Sequence, residues 1–299
     1  MRIFVATRDG LHGFDERGNA RGVDHAGHSV TAVMRDGPQL WALLDGAGIW
    51  HAPDADWSEV ARLEGPEATC IAMTDAVLVG TSEARLFQLD GDRVEPVTAF
   101  DRAAGRDEWY TPWGGPPSTR SFTEWDEDVF VNVHVGGILH TTDGGATWYP
   151  RIDIDADVHQ VAITEKLVLA ACAGGLATSA DRGTTWTTRN DGLDAAYARA
   201  VAVCGEAVLV SASNGPRGGH AAVYRGALGG GSFERCTSGL PEWFEDNIDT
   251  YCLDALNDGT FAAFGTGDGY LFGSTDAGST WGELASGLPP IQHVLVVPD

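Results

Sequence analysis

Arg120, His159, Arg199 and Tyr251 can carry charge and move protons, and they recur at one place in a repeated pattern. Each stands at the start of an apolar segment. Aligning seven such segments on their apolar ends puts Ser29, Thr69, Arg120, His159, Arg199, Tyr251 and Gln292 at one position, all of them polar. The next position reads Val30, Cys70, Ser121, Gln160, Ala200, Cys252 and His293. Arginine holds a carboxylate or phosphate through paired hydrogen bonds, which makes Arg120 and Arg199 candidate anion clamps. His159 and Tyr251 are the candidate catalytic acid and base, for hydrolysis or elimination. Ser29, Thr69, Gln292 and His293 extend the ligand-binding set. Trp109, Trp113 and Trp243, with Tyr110 and Phe244, offer flat faces to cover a sugar or planar ligand. A plainer reading stands beside this one. A polar ring can line a water-filled channel, and the tryptophans can pack long loops onto its rim.

A metal reading uses His134, His159 and His293, with His25 or His28 beside them. No two of these lie at HxH or HxxxH spacing, so nothing local builds a ligand pair. No cofactor is required by the sequence.

The elements that would position these residues are strands. The apolar segments begin about 40 residues apart, with two gaps of about 50, the spacing of four-stranded propeller blades. The stretch His159–Arg189 shows the unit plainly: an opening strand, a second apolar strand, a glycine turn, a third strand and a weaker fourth. The other units are Val30–Trp57, Cys70–Val97, Arg120–Arg151, Ala198–Cys236 and Tyr251–Leu284. Alternation and glycine-rich turns dominate, and helical periodicity is missing. The strand Gln292–Val297 has no partners after it, and Arg2–Thr7 has no opening strand before it. Gly10–Phe14 and Ala20–Val23 follow as third and fourth strands. The expectation is an all-β, seven-bladed β-propeller of four-stranded blades, one domain over residues 1–299. It is closed by the C-terminal strand pairing with the N-terminal strands, which removes exposed sheet edges. Three insertions, Asp101–Ser118, Asn214–His220 and Pro241–Asp249, fall in loop classes that share one face of a propeller, and such elaboration points to function.

The pattern S/T-x-D-x-G-x-T-W occurs three times. It is carried by Thr141, Asp143, Gly145, Thr147 and Trp148; by Ser179, Asp181, Gly183, Thr185 and Trp186; and by Ser274, Asp276, Gly278, Thr280 and Trp281. Aspartate in a tight turn accepts backbone N–H groups a few residues on. Glycine supplies positive φ, and tryptophan is a large apolar plate. Asp143, Asp181 and Asp276 are therefore structural, with Trp148, Trp186 and Trp281 as packing anchors.

These motifs resemble Asp boxes, or BNR repeats, of sialidases, sortilin-type receptors, xyloglucan-degrading hydrolases and photosystem II assembly factors. The resemblance implies that each box lies on the turn between third and fourth strands, opposite the ligand face. It does not carry over an enzyme's residues. Sialidases need an arginine triad, a Tyr–Glu pair and an R-I-P segment, and Arg2-Ile3-Phe4 does not supply it, so a true sialidase is not expected. Xyloglucan hydrolases use two aspartates between two propellers, and this chain has room for one. Some seven-bladed polysaccharide lyases use Arg, His and Tyr, which is similar in type to Arg120, Arg199, His159 and Tyr251.

The charge narrows the partners. With 43 acidic against 19 basic residues the net charge is -24, which repels nucleic acid and anionic membranes. No apolar run reaches the length of a membrane span. The five cysteines form no CxxC pair and read as buried, reduced thiols. Met1-Arg2 leads straight into a strand with no signal-peptide pattern, so a cytoplasmic location is expected. The function expected is binding, with or without hydrolysis or elimination, of an anionic or sugar-like small molecule at the channel mouth. One alternative is a non-catalytic scaffold that binds a protein through the same face, with Trp109, Trp113 and Trp243 as anchors. A second is a His-ligated metal enzyme.

Overall fold

The structure is a computed structural model that describes residues 1–54 and 56–298. It consists of strands and three short 3-10 turns, at Phe100–Arg102, Arg106–Glu108 and Ile154–Ala156. Among the described residues no helix is long and apolar enough to cross a membrane.

The strands form seven four-stranded antiparallel sheets. β1 (Arg2–Thr7), β2 (Gly10–Asp15) and β3 (Ala20–Asp24) share a sheet with the chain's last strand. Next come β4 (Val30–Asp36), β5 (Gln39–Leu44), β6 (Gly48–Ala52) and β7 (Ser58–Arg62). The third sheet holds β8 (Ala68–Met73), β9 (Val77–Thr81), β10 (Leu86–Asp90) and β11 (Arg93–Pro96). The fourth holds β12 (Thr119–Trp125), β13 (Asp128–Val133), β14 (Gly137–Thr141) and β15 (Tyr149–Pro150). β16 (Val158–Ile163), β17 (Val168–Cys172), β18 (Gly175–Ser179) and β19 (Thr187–Arg189) make the fifth. β20 (Tyr197–Cys204), β21 (Ala207–Ser213), β22 (Ala222–Ala227) and β23 (Glu234–Arg235) make the sixth. β24 (Leu253–Ala255), β25 (Ala262–Gly265), β26 (Leu271–Ser274) and β27 (Gly282–Ala285) make the seventh, before β28 (Ile291–Val297). This is the all-β seven-bladed propeller of four-stranded sheets that the repeat spacing predicts.

Burial explains why the middle of each unit is legible and its ends are not. β9, β17 and β21 are buried at every residue, and a strand covered on both faces becomes a continuous apolar run. The outer strand β3 is exposed at every residue. One whole strand falls outside its expected unit accordingly: β7 lies beyond Trp57. The seventh inner strand is also short, starting at Leu253, because Tyr251 adopts φ +62°.

β28 closes the fold as expected, with the sheet order β28-β1-β2-β3. Arg2, Ile3, Phe4 and Val5 face Val297, Val296, Leu295 and Val294. The chain divides into two compact units, Met1–Val30 with Ala170–Thr178 and Thr187–Asp299, and Thr31–Leu169 with Ser179–Trp186. The first holds a core of Ile3, Val5, Leu209, Phe261, Phe264 and Val296 among others. The second holds one built on Trp41, Leu43, Ile49, Val79 and Phe87. All five cysteines are buried thiols outside any disulfide.

The closing strand carries a pH signature. Asp254 on β24 accepts a 2.7 Å hydrogen bond from the Val296 N–H of β28. Burial pushes its carboxyl up to about 6, against the lowering effect of the Val296 and Ala255 amides. An acid whose pKa folding raises stabilises the fold when protonated. That contribution is full below 3.8 and is lost as pH rises through about 6. Asp254→Asn keeps an acceptor and removes the charge, so it should raise stability at pH 7.5 by ~1–2 kcal/mol and have no such benefit at pH 4. Thermal melts at the two pH values check this, and a lower melting temperature at pH 7.5 would contradict it. His293 has the opposite sense: burial lowers it from 6.5 to about 3, so its share is full above 6.5 and is lost on acidification.

Candidate functional site

The aligned polar position has a structural basis: in four inner strands it is a β-bulge. Ala68 and Cys70 face the consecutive residues Thr81 and Gly80, which leaves Thr69 as the extra residue. Arg120 is extra between Thr119 and Ser121, and Arg199 between Ala198 and Ala200. Gln292 is passed over between Ile291 and His293. A bulge re-aims its side chain out of the pleat, and three of these reach the sheet that follows. Thr69 Oγ1 donates to the Thr119 carbonyl at 2.6 Å. Gln292 Nε2 donates to Ser29 Oγ and the Val30 carbonyl, both at 3.0 Å. Arg199 Nη2 lies 2.8 Å from Asp249 Oδ1 and 3.0 Å from Oδ2. The structure thus uses Ser29, Thr69 and Gln292 as stitches between sheets, and meets the Arg199 charge with Asp249.

In the first unit Tyr251 stacks on His293, with ring centroids 4.7 Å apart and planes 5° apart. His293 is buried, and its Nδ1 makes no hydrogen bond. Two of the insertions pair with each other there. Ala221 and Phe244 exchange backbone hydrogen bonds of 3.0 and 2.8 Å, and Gly219 N donates to the Glu245 carbonyl at 2.7 Å. Trp243 lies between His220, 4.9 Å away, and the Arg235 guanidinium, 3.9 Å from its ring. It packs the loops together.

In the second unit the sequence-predicted residues do gather. His134 follows β13, His159 lies in β16, and Arg120 is the bulge of β12. Asp157, not singled out in the sequence, joins them from the end of the 3-10 turn at Ile154–Ala156. His134 Nε2 is 3.1 Å from Asp157 Oδ1, and His159 Nε2 is 3.5 Å from Asp157 Oδ2. His159 is fully buried and His134 is 6% exposed. Burial, reinforced by the Arg120 charge, lowers the His134 pKa. Burial works against the Asp157 carboxylate, but the two histidines outweigh it and hold its pKa well below the usual range. Trp113 lies over this corner, 63% exposed and with its ring 5.0 Å from that of His134. Tyr110 donates its hydroxyl to Asp155 at 3.3 Å. Trp109 instead packs on Phe100 beneath Arg106, with centroid distances of 6.0 and 4.7 Å.

Tyr251, Arg199 and His293 belong to the first unit, whereas His159, Arg120 and His134 belong to the second. Among the described residues, the one group of metal-capable side chains is His134, Asp157 and His159. A search for histidines alone passes over Asp157. The signal available was its place two residues before His159, but His134 is remote in sequence, and only the packing of β13 against β16 brings the three together.

The three S/T-x-D-x-G-x-T-W turns share one hydrogen-bond scheme. The first Thr or Ser hydroxyl donates to the aspartate, at 2.7, 2.8 and 2.9 Å for Asp143, Asp181 and Asp276. The later threonine donates its N–H to the same carboxylate at 2.9, 2.8 and 2.8 Å. Each tryptophan donates Nε1 to the glycine carbonyl, at 3.0, 3.1 and 3.1 Å. Asp143 and Asp181 are pulled down to about 2, chiefly by their Thr147 and Thr185 partners. A cleft of about 860 Å³ lies beside the Asp143 turn, lined by Asp75, Glu124, Asp126 and Glu127 among others. Burial, then the charges of Asp36 and Asp75, raises Glu124. So acidic a cleft repels an anionic ligand, and the His134 corner remains the better site.

Neither a protein-family model nor a curated protein sequence matches the chain. Solved structures match it in fold. The GH74 xyloglucanase from Xanthomonas campestris superposes with a TM-score of 0.69 at 14% identity, covering 95% of this chain and 52% of the xyloglucanase. The chain thus spans about half of that protein. YCF48 bound to D1 peptide gives a TM-score of 0.59 at 13% identity, covering 88% of this chain and 84% of that one. The RRP9 WD40 repeats give 0.60 at 10%, covering 90% and 83%. Similarity at this level carries the architecture alone: this chain is a seven-bladed β-propeller, a fold that xyloglucanase and peptide-bound protein alike are built on.

Proposed function

We propose that the chain is an Asp-box propeller that binds a sugar-like or anionic small molecule at the corner formed by Arg120, His134, Asp157 and Trp113. The observation that carries this reading is Trp113. A tryptophan that is 63% exposed, held against a buried polar cluster, presents a plane on which a sugar ring or planar ligand stacks. Arg120 supplies a cation in a chain of net charge -24. Binding rather than catalysis is the reading favoured, because His159 is fully enclosed and Tyr251 stacks on His293. Wild-type protein is titrated against neutral oligosaccharides, uronates and peptides. Trp113→Ala should weaken saccharide or uronate binding at least tenfold, about 1.4 kcal/mol, with an unchanged melting temperature. Unchanged affinity in the variant removes the proposal. Binding of peptides alone supports instead a scaffold anchored on Trp113.

A further inference from the structure

We propose that His134, Asp157 and His159 bind a divalent first-row transition-metal ion. The proposal does not need the small-molecule reading. It rests on how the three donors meet. One ligand atom from each lies within 4.8 Å of the others. The carboxylate faces one histidine with each oxygen, Oδ1 at 3.1 Å from His134 Nε2 and Oδ2 at 3.5 Å from His159 Nε2, each close to the ~3.3 Å between two donors on a tetrahedral ion with bonds of about 2.0–2.1 Å.

The independent observation is that the buried polar atoms do not satisfy one another. His134 Nε2 and Asp157 Oδ1 are enclosed and close, yet neither makes a hydrogen bond. The ring nitrogen is not directed at the carboxylate oxygen as a hydrogen bond demands. Buried polar atoms left so are costly, and an ion, a water or a ligand is the usual remedy. Asn132, two residues before His134, is also fully buried with neither amide atom hydrogen-bonded.

The donor set selects the metal class. Two imidazoles and one carboxylate suit Zn²⁺, Fe²⁺, Co²⁺ or Mn²⁺, whereas Ca²⁺ and Mg²⁺ take oxygen donors. Three protein donors leave a coordination position open. A divalent ion held by one carboxylate would also make this corner cationic together with Arg120, which favours an anionic ligand there.

The test uses the full chain, stripped with a chelator and titrated with Co²⁺ at pH 7.5. One equivalent should develop the visible absorption of protein-bound Co²⁺, be displaced by Zn²⁺, and raise the melting temperature, since an ion that binds the folded chain stabilises it. His134→Asn and Asp157→Asn should each weaken binding at least 100-fold while the metal-free melting temperature stays near that of the wild type. Asparagine tolerates the left-handed backbone of residue 157, at φ +46°, which guards the second variant against misfolding. Folded wild-type protein that gives neither absorption nor stabilisation overturns the proposal. Equal binding by wild type and both variants overturns it too, as adventitious surface coordination. Trp113→Ala should keep the metal, so this inference and the small-molecule reading fail separately.

Discussion

Deletion of β28 should leave a chain that does not fold cooperatively. The strand contributes one whole edge of the first sheet. Its Ile291, Val294, Val296 and Val297 are each no more than 6% exposed. Full burial of such a side chain is worth ~1.5–3 kcal/mol, so four together are worth about 6–12 kcal/mol. That matches the whole stability of an ordinary domain. The loss also exposes the β1 edge, with Ile3, Phe4 and Val5 on it, which invites edge-to-edge aggregation. The expected result is an insoluble product, or a soluble one without a sharp urea transition. A cooperative transition near the wild-type midpoint would show that the first sheet stands without its fourth strand. Adding the peptide Ile291–Val297 in trans should restore part of the transition if pairing with β1 is what is lost.

The second large effect separates motifs that share one sequence pattern. Trp148 and Trp281 are each 5% exposed, and both meet a buried phenylalanine edge-on. Trp148 lies 5.2 Å from Phe100, and Trp281 lies 4.9 Å from Phe264. Trp186 is only half-buried, and its indole N–H also donates to the Arg151 carbonyl at 2.6 Å. Truncation of a core tryptophan to alanine costs ~3–5 kcal/mol. Trp281→Ala and Trp148→Ala should each fall in that range, whereas Trp186→Ala should cost about 1–2 kcal/mol. Urea midpoints for the three variants measure the difference, and three equal losses would contradict it. Asp276→Asn probes the same turn through hydrogen bonding alone and should cost less than Trp281→Ala.

The strand pattern was legible because it is set by burial along the chain. Stretches such as Val168–Cys172 and Ala207–Ser213 are covered on both faces and had to be apolar whatever surrounds them. The turns were legible because Asp143, Asp181 and Asp276 bond to groups two to four residues away. The aligned polar position was also visible, but its meaning was not. Nothing local announces that Thr69, Arg120, Arg199 and Gln292 are bulge residues, because a bulge is defined by the partner strand's register.

The seven sheets, the pairing of the two chain ends and the structural duty of the three aspartate turns are all readable along the chain. The sheets and the turns follow from burial and from hydrogen bonds made within a few residues, and the end pairing follows from the strand each end lacks in a repeated unit. Which polar groups are spent on holding sheets together is settled by how those sheets pack. Arg199 and Gln292 find partners about 50 and 260 residues away, and Asp157 meets His134 across two sheets. Such meetings depend on how sheets pack in space, and spacing along a chain carries no record of them.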